Sequence, residues 1–328
     1  MITRAALTAA LIITTLATPI TAEAQGSQTG VWRLAILGGG SPSREITAPL
    51  VDGLRALGYV EGQNITIEYR WADGKFERLP DLAADLVRLK VDLIVAFATQ
   101  AAVAAKNATS TIPVVIAGVS DPVGAGVVSS LGKPGGNVTG TSNMAAAVAA
   151  KQLELLKEAL PKISNVAVLW NPANPVFQEV QLRETKLAGR KLNLQLRIFG
   201  ARNVDELDRA FSMMTKDRVE ALHLLVDPLF GFNMHRIAGL IAKYRVPTVG
   251  GSRHYIDAGA FMTYGPNYAE GYRHAATYVD RILRGARPAD LPVEQSTKFE
   301  LVINSTAAKA LGLTIPSSLL LRADQVIE

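Results

Sequence analysis

The sequence predicts an α/β protein of two similar lobes, each a parallel sheet covered by helices. Short β-branched runs alternate with amphipathic stretches, and several of those runs are apolar throughout, as in strands buried on both faces. The whole pattern then restarts at an offset of about 130 residues, far beyond a solenoid period, which points to a duplicated lobe. The 328 residues, 48% hydrophobic and 19% charged, are ample for a substantial core and long for a single domain.

The chain opens with "MITRAALTAALIITTLATPITAEAQ". One cation at Arg4, an apolar stretch over 5–17 and the Ala22-Glu23-Ala24 triplet read as a secretory signal peptide over 1–24, cut after Ala24. No later run reaches the roughly 18 uncharged apolar residues of a membrane span, so the mature protein is expected to be soluble. Cleavage removes Arg4 and Glu23 together and leaves the net charge at +5. Its Lys and Arg residues are spread along the chain, a pattern that does not suggest nucleic acid. Cysteine is absent, which excludes disulfides, thiolate nucleophiles, thiolate metal sites and a lipid-accepting cysteine. A protein free in the periplasm, and not a lipoprotein, is the expectation.

In the first lobe, "VWRLAIL" (31–37) reads as a strand, "ITAPLVDGLRALG" (46–58) as a helix and "NITIEYR" (64–70) as an alternating strand. "RLPDLAADLVRLK" (78–90) is a helix, "VDLIVAFA" (91–98) an apolar strand, "QAAVAAKNA" (100–108) a helix and "IPVVIAG" (112–118) a strand. The second lobe echoes the first: "NVAVLWNPANP" (165–175) repeats "RLAILGGGSP", "DELDRAFSMM" (205–214) repeats "RLPDLAADLV", and "ALHLLVDP" (221–228) repeats "DLIVAFAT". Connections are expected at "KPGGNVTGTSN" (133–143), "AFMTYGP" (260–266) and "LPVEQSTKFELVIN" (291–304). These crossings assign 31–142 plus 265–296 to lobe 1 and 143–264 plus 297–328 to lobe 2, with a hinge that still allows closure.

Open parallel sheets bind ligands beyond the carboxyl ends of their strands. The residues expected there are Gly39, Gly40 and Ser41, then Thr99 and Gln100, Ser120 and Asp121, Asn171, Asp227, and Tyr264. The glycine loop lacks the G-x-G-x-x-G spacing of a dinucleotide site, the second strand ends in Arg70-Trp71 where that site needs an acid, and no Gly-Lys-Ser/Thr follows. A carboxylate approaching backbone N–H groups suits it better than a nucleotide. Asp121 and Asp227 each precede a proline at a strand end, so each is expected to cap a helix, with one of them also free to meet a ligand amine. Phe97, Trp170, Phe230, Phe232 and Tyr264 lie near strand ends and are candidates for pocket walls or for ordinary core. The four histidines show no metal spacing, His223 in its apolar run reads as structural, and no G-x-S-x-G elbow occurs. No catalytic residue, metal or cofactor is therefore expected.

The phrases "ATQAAVAAKNATSTIPVVIAGVSDPVGAGVVSSLGKPGGNVTG", "VAVLWNPANP", "DPLF" and "LPVEQSTKFELVINSTAAKALGLTIPSSLLLRADQVIE" resemble the ABC transporter substrate-binding protein family that includes TrpX-like proteins. The resemblance runs collinearly from about Val31 to Glu328. It implies a type 1 periplasmic binding protein with two Rossmann-like lobes and three hinge crossings. It also implies a small solute, such as an aromatic or other amino acid or a related acid, delivered to an ABC permease and its ATPase subunit. The pocket positions it implies are Thr99-Gln100, Ser120-Asp121 and Gly140-Thr141-Ser142. Asn171 departs from the hydroxyl-rich strand end of tryptophan-binding members, which points away from tryptophan itself. The expectation is thus a monomeric exported receptor without turnover, touching the membrane only through the permease. The alternative is a ligand-sensing periplasmic partner of a membrane signalling protein. A regulator with a lactose-repressor-type core is disfavoured by the leader.

Overall fold

Alternating residues of the first strand already show why its sequence is apolar throughout. Leu34 and Ile36 pack into one buried cluster, Ala35 and Leu37 into another on the opposite face. A strand sandwiched between two helical layers has no polar face to offer. The computed structural model describes residues 30–328, and the expected leader with its cleavage after Ala24 lies outside them. Residues Val31–Glu328 make up one compact unit built on two sheets.

The first sheet begins with β1 (Trp32–Gly38), α1 (Arg44–Ala56), β2 (Ile65–Trp71), α2 (Leu79–Arg88), β3 (Leu93–Phe97), α3 (Ala98–Ala108), β4 (Val114–Val119) and β5 (Val138–Ser142). The chain then crosses into α4 (Ala145–Ala159), β6 (Asn165–Trp170), α5 (Pro175–Lys191), β7 (Gln195–Gly200), α6 (Val204–Lys216) and β8 (Ala221–Leu224). It continues through α7 (Pro228–Phe232), α8 (Met234–Tyr244), β9 (Thr248–Gly250), α9 (His254–Asp257) and β10 (Met262–Pro266). A second crossing leads to α10 (Tyr268–Leu283) and β11 (Glu294–Gln295). A third returns it to β12 (Phe299–Asn304), α11 (Ser305–Ala310), α12 (Ser317–Leu320) and β13 (Gln325–Ile327).

The sheet orders are β11-β5-β4-β3-β1-β2 and β13-β12-β10-β9-β8-β6-β7. All pairs in the first are parallel, β11 meeting β5 with Glu294 opposite Thr141. The second sheet departs from the expected parallel arrangement at one place, where β12 runs antiparallel to β10 with Phe299 opposite Pro266. These are the two strands on either side of the excursion through α10 and β11: one leaves the second sheet and the other re-enters it alongside, so they must point in opposite directions.

A second departure follows β4. The helix expected after Ser120-Asp121 is a turn, in which Asp121 Oδ1 accepts from Gly124 N at 2.8 Å and Ala125 N bonds back to Asp121 O. Gly126 at φ +67° ends it. Glycines at 124 and 126 carry too much backbone freedom to propagate a helix. Asp227, by contrast, does cap a helix, its side chain accepting from Leu229 N ahead of α7.

Candidate ligand-binding cleft

The carboxyl ends of β3, β4 and β5 form one polar shelf. Thr99 Oγ1 accepts a long bond of 3.4 Å from Ser120 N, Ser142 Oγ donates to Ser120 O at 3.3 Å, and Thr141 Oγ1 accepts from Gly118 N at 3.4 Å. Asn143, absent from the expected set, locks the shelf: its N–H donates to Val119 O at 2.9 Å and its Nδ2 to Gly118 O at 2.8 Å. Thr99 is only 1% exposed and its oxygen is spent on the wall, so it supports the site more than it lines it. Ser120, 7% exposed, keeps its Oγ without a partner among the described residues. Ala98, just before Thr99, opens α3 at φ +66°, a strained conformation for a residue with a Cβ and typical of functional sites.

The facing wall belongs to the second sheet and is built on Asp227. This carboxylate is 2% exposed and accepts from Asn171 Nδ2 at 3.0 Å, Asn174 Nδ2 at 2.7 Å and Leu229 N at 2.8 Å. Burial pushes its pKa up to about 6, against the opposing pull of the bonds from Asn171 and Asn174. Gln178 completes the cluster, accepting from Asn171 N at 3.1 Å and donating to Val226 O at 2.7 Å. Nearby, Gln152 Nε2 donates to Tyr264 O at 2.8 Å, so its Oε1 must accept from His223 Nε2 at 2.7 Å. That fixes the proton on Nε2, and burial holds His223 neutral by lowering its pKa to about 3. His223 is thus structural, as its apolar run suggests.

The two walls touch. Gln100 Nε2 donates to Asn174 Oδ1, joining α3 to the Asp227 cluster. Gly40 lies under the ring of Phe232, close enough that a Cβ would fall 1.5 Å from Cζ. His254 Nδ1 approaches Glu45 Oε2 at 3.6 Å.

Of the expected site residues, the structure gathers Gly40, Thr99, Gln100, Ser120, Thr141, Ser142, Asn171 and Asp227 at these facing edges, whereas Gly39 meets the loop after β2, its O accepting from Gly74 N at 2.9 Å. It leaves others aside. Ser41 is exposed at the loop rim, Asp121 is occupied in its turn, and the Tyr264 ring stacks on Phe299 at 5.9 Å within the hinge strands. Among the aromatic candidates, Phe97 stacks with Trp71 at 6.4 Å and meets Tyr272 edge-on at 5.0 Å, and Phe232, 41% exposed, covers Gly40. Phe230 is core of the second lobe. Trp170 borders grooves of about 520 and 380 Å³ lined with Ile198, at the outer β7 edge of the second sheet.

Sequence reasoning missed Asn143, Asn174 and Gln178, amides whose roles depend on partners far along the chain. Beside the shelf, Tyr268 and Tyr272 stand four apart in "NYAEGY" at the start of α10, a spacing that puts them on one face of the helix.

The family model for ABC transporter substrate binding protein matches residues 40–327. The tyrosine-binding protein of Clostridioides difficile (strain R20291) is 31% identical over 264 residues, covering 80% of this chain and 75% of that protein. Among solved structures, the ABC domain in complex with L-Trp from Streptococcus pneumonia matches with a TM-score of 0.84 at 28% identity, covering 91% of this chain and 100% of that one. The ligand-free, open structure of a substrate binding protein from Clostridium difficile matches with a TM-score of 0.67 at 28% identity, covering 91% of this chain and 99% of that one.

Proposed function

The chain belongs to the ABC transporter substrate-binding protein family, and we propose that it is the exported receptor of an importer, closing its two lobes on an amino acid or a related carboxylate-bearing solute. The observation that carries this reading is the facing pair of walls: neutral hydroxyl and amide groups on the first-sheet shelf, a buried aspartate on the second, joined through Gln100 and Asn174. Such a cleft offers donors to a carboxylate on one side and an acceptor to an ammonium on the other. The relatives support the solute class, since one is named for tyrosine and another was solved with L-Trp. The higher TM-score to that L-Trp complex than to the open, ligand-free relative supports a closed arrangement of the lobes. None of the described helices is long and apolar enough to cross a membrane. The reading places the mature protein in the periplasm, free of a lipid anchor, as a monomer delivering its solute to a permease driven by an ATPase subunit.

A thermal-shift screen of the mature protein against the twenty common amino acids, aromatic acids and short peptides tests this. A true ligand at about 100 times its Kd is expected to add roughly 2.7 kcal/mol. A panel with no shift at any member overturns the reading.

Closure gives a separate expectation for Gln100→Ala. The substitution removes the donor that joins α3 to Asn174 without entering either sheet's core. It is expected to leave the apo melting temperature unchanged while weakening the best ligand of that panel about fivefold to tenfold, the worth of one hydrogen bond made only on closing. Small-angle scattering at saturating ligand should show the same contraction as wild type. Unchanged affinity means that the contact contributes nothing to closure.

A further inference from the structure

We infer that Tyr268 is a specificity-determining residue of the cleft, its hydroxyl acting with Ser120 Oγ to take the carboxylate of the solute. The assignment rests on the amino-acid reading above and adds a residue on the interlobe helix to it.

The placement follows from topology. Helix α10 packs against α1, β4 and β5 and leads into β11, which pairs parallel to β5. A helix between elements so arranged runs against the strands, and its N-terminus lies at their carboxyl edge. Tyr272 confirms the level: its ring stands 3.2 Å from where a Cβ on Gly118 would be, at the end of β4, and makes the edge contact with Phe97. Tyr268 is one turn closer to the N-terminus, its ring 6.2 Å from that of Tyr272, and therefore stands beyond β4 on the side of Ser120. The run of rings Trp71, Phe97, Tyr272 and Tyr268 holds the phenol in place.

The chemistry follows from what these groups lack. The hydroxyls of Tyr268 and Ser120 are both buried, and neither has a hydrogen-bond partner among the described residues. Buried polar groups are almost always paired, so two orphans arriving from separate elements at the same strand end call for a common partner. Burial, and then the neighbouring Tyr272, raise the Tyr268 phenol well above its ordinary pKa, so it stays protonated and can donate. Beside them α3 begins with no side chain capping its first N–H groups. Two hydroxyl donors and a helix N-terminus suit an anion. Asp227, across the cleft, directs the cationic end of an amino acid the other way.

Calorimetric titration of wild type, Tyr268→Phe and Ser120→Ala tests the assignment, beside apo melting curves. The probes are L-tyrosine, L-tryptophan and the strongest amino acid of the screen, each paired with its carboxamide. Wild type is expected to prefer the acid over the amide at least tenfold. Tyr268→Phe is expected to weaken the acid at least tenfold, to shrink the acid-to-amide preference towards unity and to leave the apo melting temperature unchanged or raised. Ser120→Ala should act in the same direction. A structural role instead lowers the melting temperature and keeps the preference intact. Wild-type binding with the preference unaltered in both variants overturns the assignment alone. If no carboxylate-bearing probe binds wild type, the functional reading falls and this assignment with it.

Discussion

Asp227→Asn is expected to make stability climb with pH between about 4 and 6, relative to wild type, by at most about 1.4 kcal/mol per unit and by about 2 kcal/mol in all. The cause is a pair of buried groups that oppose each other. Asp227 has its pKa raised from 3.8 to about 6, so in this window the folded chain holds a proton that the unfolded chain has released. Its contribution is present below 3.8 and is lost as pH rises through 6. His223 has its pKa lowered from 6.5 to about 3, so there the unfolded chain holds the extra proton. Its contribution is present above 6.5 and is lost as pH falls towards 3. Over the shared range the two slopes nearly cancel. Removing the titration of Asp227 leaves that of His223 exposed. Urea denaturation at pH 4, 5 and 6 reads the slopes, and taking each variant against wild type removes the common effect of surface carboxylates. His223→Gln should show the opposite tilt, losing ground to wild type as pH rises. Parallel wild-type and Asp227→Asn slopes would show that the carboxyl in the cleft wall is not held protonated by burial.

Gly140→Ala is expected to cost more than about 3 kcal/mol, enough to leave much of the chain unfolded at moderate temperature. Gly140 sits in β5 at φ +136°, and a Cβ there would lie 2.1 Å from the carbonyl oxygen and 2.7 Å from the nitrogen of Ile116. Both are backbone atoms of the paired strand β4, so no rotamer change relieves the overlap. The strands must part, and the shelf of Gly118, Ser120, Ser142 and Asn143 moves with them. Gly132→Ala, at an exposed position with no atom within 4 Å of the added Cβ, serves as the comparison and should be nearly neutral. Chemical denaturation of both variants checks the difference. Equal midpoints would mean that β4 and β5 can separate at little cost.

Much of this molecule is local pattern. Fully apolar runs such as Leu93–Phe97 and Val114–Val119 mark doubly covered strands, because a face without polar residues cannot meet water. Once parallel sheets follow from those runs, the ligand end of each strand follows too, and the list of strand-end residues already contained Thr99, Gln100, Ser120, Asn171 and Asp227. What local pattern could not separate is Asp121 from Asp227. Both stand before proline at the end of an apolar strand, yet one caps a turn and the other becomes the buried acid of the cleft. The difference lies in partners 53 and 56 residues away, Asn174 and Asn171, which only packing brings within reach. The antiparallel entry of β12 is likewise a matter of crossing order, invisible to periodicity. The direction of Tyr268 is decided the same way, because an i, i+4 pair of tyrosines states only that they share a face. Which sheet that face meets, and whether a hydroxyl on it finds a partner, depends on where α10 is laid after the second crossing.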